Sequence, residues 1–197
     1  TGRVTLFPGS PEQVTPGADA VLFLSFISGR NPDLLIGRHV ESGMRIREMG
    51  MDVVPTGYML IGDGPLTTAA YMSNSLPIPS AKKEIAVATA VAGEMLGLGA
   101  LFMDAGSGAQ QCVSPSTIRA VRNAVECPII VGGGIGDAAG IEAAWQAGAD
   151  LVVIGHAIES RPFQLDWLPH PEAFSAKANP AEEQVLSLIH ISEPTRR

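Results

Sequence analysis

The stretch Ile129–Gly136, IIVGGGIG, followed at once by Asp137, decides how the rest of the chain is read. Pro128–Val131 is a short apolar, largely β-branched run of the kind that makes a strand buried on both faces. Three glycines follow it, and Asp137 is a residue type that opens helices by accepting a backbone N–H bond. Strand, glycine turn and capped helix in direct succession make one βα unit. The same order recurs at Asp150–Ile154, which runs into Gly155 and His156, and at Ala100–Met103, which runs into Asp104, Gly106 and Gly108. Upstream, Val4–Phe7, Ala20–Phe26 and Asp52–Pro55, the last with a continuation to Ile61, bring the candidate strands to six.

The intervening segments carry helical spacing. Ser114 with Pro115 behind it reads as an N-cap with proline at the first helical position, and Ile118, Val121 and Val125 continue one apolar stripe. After Asp137, residues Ile141, Ala144, Trp145 and Gly148 fall on one face. Ser80 precedes a helix expected over residues 82–96, with Ile85, Ala88, Thr89 and Ala92 sharing a face. A further helix is expected from about Pro32 to Met49, weakened by Gly37 and Gly43. Gly62–Pro79 is the one long connection, of the sort that becomes a lid or a binding element.

Alternating strands and helices with near-continuous apolar strands imply a parallel α/β sheet, either open and doubly wound or part of a (β/α)8 barrel. The glycines favour the barrel. They follow the carboxyl ends of successive strands, and those after the last two strands match the place where barrels bind phosphate.

Composition narrows the function classes. The chain has 197 residues, 46% hydrophobic and 17% charged, which excludes a disordered chain. Its longest apolar run, Ala20–Leu24 with a short extension to Ile27, is far below the ~18 residues of a membrane span. A net charge of −7 without a local Lys/Arg cluster argues against nucleic acid. Cys112 and Cys127 have neither metal-ligand spacing nor a disulfide framework, so a reduced, cytoplasmic setting is expected.

Two segments can carry chemistry. In Ile129–Gly136 the glycines let backbone N–H groups approach an anion closely; a tight turn with nothing bound explains GGG as well. Gly155 and His156, on the next strand, tip the reading toward phosphate. In Leu101–Ala109, LFMDAGSGA, Asp104 stands where barrel catalytic residues sit and can accept a proton from a substrate hydroxyl. It can equally cap the backbone N–H of Gly106 or Ser107. Tyr58 and Tyr71 can line an apolar groove or simply pack, and His39, inside an expected helix, reads as a surface or packing residue. Ser107 is not set in a nucleophile elbow.

The segments TLFPGS (Thr5–Ser10), SGRNP (Ser28–Pro32), VVPTGYMLI (Val53–Ile61), SLPIP (Ser75–Pro79), MDAGSGA (Met103–Ala109), IIVGGGI (Ile129–Ile135) and IGHAIE (Ile154–Glu159) together resemble the geranylgeranylglyceryl phosphate synthase family. The resemblance implies an eight-stranded TIM barrel that moves a polyprenyl group from its diphosphate to the C3 hydroxyl of sn-glycerol 1-phosphate in ether lipid synthesis. It puts the glycerol phosphate against Phe102, Met103, Asp104, Ala105, Gly106, Ser107 and Gly108, with phosphate on Gly133, Gly134, Gly155 and His156. Asp104 takes the place of the family's usual glutamate, as the residue that orients or deprotonates the hydroxyl, and Phe102 that of a tyrosine. His156 replaces a smaller polar residue.

The resemblance further implies Mg²⁺, held by a carboxylate on the family's first strand with a serine or threonine after the second. No segment here matches either, so the expectation is a barrel represented by about strands three to eight, with no metal ligands of its own, inactive in transfer as it stands. A homo-oligomer is expected of the full-length protein. Residues 1–160 are read as the partial barrel and 161–185 as a C-terminal segment. Residues 186–197 are read as a non-native tail, because Leu186–Arg196, LSLIHISEPTR, matches the translation of a sequencing adapter. The alternatives are another phosphate-binding barrel enzyme, an isomerase or lyase of a phosphorylated metabolite, and a non-catalytic barrel remnant.

Overall fold

The computed structural model describes residues 4–160; segments 161–185 and 186–197, with His170 and His190, lie outside the described residues. Strands β1 (Thr5–Leu6), β2 (Ala20–Phe26), β3 (Asp52–Leu60), β4 (Ala100–Asp104), β5 (Ile129–Gly132) and β6 (Leu151–Val152) form one sheet in chain order. Every neighbouring pair is parallel. A doubly wound sheet reverses its order at a switch point, and this one does not.

The helices confirm the barrel over the doubly wound alternative. They are α1 (Arg38–Met49), α2 (Thr68–Ser73), α3 (Lys83–Met95), α4 (Pro115–Arg122), α5 (Ala138–Gln146) and α6 (His156–Ser160). Ala86 and Ala90 of α3, Ile118 and Val121 of α4, and Ile141 and Ala144 of α5 pack in one cluster with Met59, Leu101, Met103, Ile129 and Val131. The alternate strand residues Leu22, Tyr58, Leu60, Phe102 and Ile130, with Val153 just after β6, form a second cluster to which the helices contribute only Ala70 and Ala69. One face of the sheet is thus covered by helices, and the other turns in on itself. This is a six-stranded, incomplete (β/α) barrel.

β2, β3 and β4 begin where expected, while β1, β5 and β6 begin one residue later than the expected Val4, Pro128 and Asp150, and β3 continues through Pro55 to Leu60. Proline is tolerated inside this central strand because its carbonyl faces β4, accepting from Gly99 N, and pairing with β4 starts only at Thr56. The absent N–H therefore removes no ladder bond. Ser114 and Asp137 cap α4 and α5 as expected, accepting from Thr117 N and Gly140 N. The expected 32–49 helix is split: a π turn over Asp33–Gly37 leads into α1.

Helix α3 packs through a different face from the one its apolar spacing predicts. Its buried residues are Ala86, Ala90 and Gly93, whereas Ile85, Ala88 and Ala92 are exposed. The helix lies so close to the sheet that a Cβ on Gly93 would come within 2.8 Å of Ile27, so the small residues face inward. Nor does Ser80 cap it: the N-cap position is Lys82, without a side-chain cap, and the Asp63 carboxylate accepts from Ser80 N across the long connection. The two sheet edges, β1 and β6, are each two residues long, short of the flat edge that templates association. Among the described residues no helix is long and apolar enough to cross a membrane.

Candidate functional site

The carboxyl end of β4 delivers Asp104 to the concave side of the sheet, opposite Leu60 of β3 and Gly132 of β5. The side chain is 8% exposed and accepts two hydrogen bonds. Gly106 N–H donates to Oδ1 at 2.7 Å, and the Tyr58 hydroxyl donates to Oδ2 at 2.5 Å. The capping role is therefore real, and Asp104 has a cross-strand partner as well. Burial raises the Asp104 carboxyl above the ordinary aspartate range, with the Tyr58 and Gly106 bonds opposing it. Burial and the neighbouring carboxylate push the Tyr58 phenol well above its usual value, so this hydroxyl keeps its proton and acts as a donor.

The GGG turn is shaped around that carboxylate. Gly133 has φ +79°, and a Cβ there would press on Asp104 Oδ1 and come within 2.7 Å of Ala105 N and Gly106 N. Gly134, φ +71°, would clash in the same way with the backbone of Gln111 and Cys112. Only glycine serves at these two places.

A cavity of about 270 Å³ opens over this turn. Of the residues expected at the site, Phe102, Asp104, Ser107, Gly108, Gly133, Gly134, Gly155 and His156 line it. Gly106 and Ala105 stand behind, in the turn that holds Asp104. Met103 is fully buried on the other face of β4, against the helices. Phe102 stacks on Phe7 with ring centroids 4.6 Å apart. Phe7, a residue of the TLFPGS motif with no role foreseen, also walls a second cavity of about 430 Å³ between β2, α1 and α2. Leu22, Leu24, Phe26, Leu34, Ile46 and Met72 give that larger space an apolar lining, and Tyr58 reaches it too. Tyr58 thus does line an apolar space while its hydroxyl bonds Asp104. Tyr71 is exposed on α2. His39 is half-buried, edge-on to Phe23 at 4.3 Å, with its basicity lowered by burial.

The carboxylates lining the smaller cavity are Asp104 and Glu159, and no group of three or more His, Cys, Asp or Glu among the described residues can hold a metal. With Asp104 already bonded by Tyr58 and Gly106, this donor set does not fit Mg²⁺, which asks for several oxygens in octahedral array.

Parallel βα units in chain order, with glycine turns converging beside a buried carboxylate, define an incomplete barrel of the (β/α)8 class. Residues 3–168 match the model of the PcrB family, and the chain belongs to that family. A protein of Chitinophaga pinensis named geranylgeranylglyceryl phosphate synthase is 56% identical over 156 residues, 79% of this chain and 62% of that protein. Its namesake from Spirosoma linguale is 49% identical over 166 residues, 84% of this chain and 66% of the relative. The chain thus spans less than two thirds of the length of these curated relatives. The crystal structure of (S)-3-O-geranylgeranylglyceryl phosphate synthase from Thermoplasma acidophilum, in complex with its substrate sn-glycerol-1-phosphate, superposes with a TM-score of 0.75 at 30% identity. That match covers 80% of this chain and 63% of the other.

Proposed function

We propose that this protein carries the acceptor half of a prenyltransferase site, joining a polyprenyl group to the C3 hydroxyl of sn-glycerol 1-phosphate for ether lipid synthesis. The observation that carries the reading is the meeting of two cavities at Phe7, one walled by the glycine turns and Asp104 and a larger one walled mainly by apolar side chains of β2, α1 and α2. In this reading the phosphate rests on backbone N–H groups at Gly133, Gly134 and Gly155 with His156 beside them, a device that suits an acidic protein. The glycerol then extends along Phe102 toward Asp104. Ser107 and Gly108 close the near side.

The polyprenyl diphosphate lays its hydrocarbon in the apolar cavity with its first carbon toward Asp104. The C3 oxygen bonds to that carbon, and the bond from the carbon to the diphosphate oxygen breaks, its electron pair leaving with the diphosphate. Asp104 takes the hydroxyl proton. Burial, which raises its affinity for protons, suits it to that task. Mg²⁺ belongs in this reading to the diphosphate alone, and no described side chain is assigned to it. Two free cysteines suit a reducing cytoplasm.

The test is calorimetric titration of the chain with sn-glycerol 1-phosphate, sn-glycerol 3-phosphate and inorganic phosphate. The expected order is tightest for sn-glycerol 1-phosphate, by at least tenfold over inorganic phosphate, with the margin lost in Asp104→Ala. Equal affinity for all three ligands, or none for any, refutes the proposal.

A further inference from the structure

We infer that Tyr58 is a positioning residue for Asp104, fixing the carboxylate so that one lone pair of Oδ2 stays directed at the substrate hydroxyl; this rests on the function proposed above. Each carboxylate oxygen has two acceptor positions. On Asp104 one position of Oδ1 is taken by Gly106 N–H and one of Oδ2 by Tyr58. The two donors differ in origin. Gly106 belongs to the turn that follows Asp104 and moves with it. Tyr58 comes from β3, in register with Phe102, so its hydroxyl is a reference fixed outside the turn.

The ring that carries this hydroxyl is held on several sides. Phe26 lies 5.0 Å away between centroids, Phe102 5.6 Å and Phe7 6.4 Å. Three aromatic neighbours restrict the torsions that would otherwise let the phenol swing. A carboxylate bonded only within its own turn can still rotate its plane; a second donor from a neighbouring strand removes that freedom. The residues that line the cavity with Asp104 add His156 and Glu159 as titratable groups, and β5 adds only glycines at this level. On the far side, Glu12, Arg38 and His39 line the larger cavity with Tyr58.

A buried tyrosine satisfied by the nearest acceptor would be an ordinary packing residue, and the experiment separates the two roles. In the 197-residue chain, ¹³C-carboxyl titration of Asp104 is compared between wild type and Tyr58→Phe, alongside affinities for sn-glycerol 1-phosphate and for inorganic phosphate. Positioning predicts that Asp104 takes up its proton at higher pH in the variant, because a donor to the charged form is gone. It also predicts a five- to tenfold loss for sn-glycerol 1-phosphate with less than a twofold change for inorganic phosphate, which has no glycerol hydroxyl to set against Asp104. An unchanged Asp104 titration, or equal losses for both ligands, overturns it. If Tyr58→Phe does not fold, the wild type decides: the Tyr58 ring Cζ resonance must shift at the Asp104 midpoint, and a flat response refutes the contact. A wild type that does not prefer sn-glycerol 1-phosphate over phosphate sinks the reading of the site instead, and the carboxyl titration then still rules on the Tyr58 contact.

Discussion

Replacing Gly133 by alanine adds one methyl group at the most crowded point of the site. Two costs follow from the geometry. At φ +79° an L-residue loses about 1–2 kcal/mol relative to glycine. The new Cβ would also lie within 2.7 Å of Ala105 N and Gly106 N and against Asp104 Oδ1, so the carboxylate or the Gly106 turn must move. Moving either one breaks the 2.7 Å bond from Gly106 N–H to Asp104, and a buried partner left unpaired costs about 1–3 kcal/mol. Together the loss is about 2–5 kcal/mol, or roughly 4–20 °C in melting temperature for a domain of this size. Gly136→Ala is the control, since its Cβ would meet nothing within 4 Å and its φ is not positive. That change should stay within about 0.5 kcal/mol. The assay is paired thermal and urea unfolding of both variants. Equal stability of Gly133→Ala and Gly136→Ala would show that the turn is not shaped around Asp104.

Asp104→Asn tests the cost of the buried charge. A carboxyl whose folded pKa is raised adds stability below its unfolded pKa and forfeits it as pH rises through the folded value. The asparagine variant should therefore melt higher than wild type at neutral pH, with the gap closing as the buffer is acidified; a gap independent of pH refutes the assignment. Glu94 has the opposite sign. Its carboxylate accepts from Cys127 N and Glu126 N, and those bonds hold its pKa below the ordinary range. Glu94→Gln should thus be less stable than wild type above the unfolded glutamate pKa, and the deficit should vanish as pH falls through the folded one. Urea midpoints followed across acid pH check this, and parallel curves for the two proteins would contradict it.

The strands and two of the helix caps were legible because they are local. β-branched runs bounded by glycine, and Ser114 and Asp137 one position ahead of their helices, need no knowledge of the rest of the chain. The face of α3 was not, because spacing marks Ile85 as the packing residue while close approach to the sheet selects Ala86, Ala90 and Gly93. The clustering of Asp104 with the glycine turns followed from chain order alone, since consecutive parallel strands put their carboxyl ends side by side. Tyr58 is different. Its bond to Asp104 spans 46 positions and depends on the register of β3 against β4, which no pattern of residue types discloses. Phe7 was hidden likewise: its motif was visible, but that one ring walls both cavities is a property of the curled sheet.

The ladder narrows along the chain after β3. Seven residue pairs join β2 to β3, five join β3 to β4, four join β4 to β5, and two join β5 to β6. Local opening is easiest where pairing is thinnest. The carboxylate is therefore moored to the better-paired part of the sheet, through Tyr58 and the Gly133 turn packed on it, while Gly155 follows β6, where the pairing is thinnest. On the function proposed above, a ligand spanning the two would have one end clamped to a fixed post and the other in a yielding hand, so the accuracy of the reacting end would not depend on how firmly the far end is held.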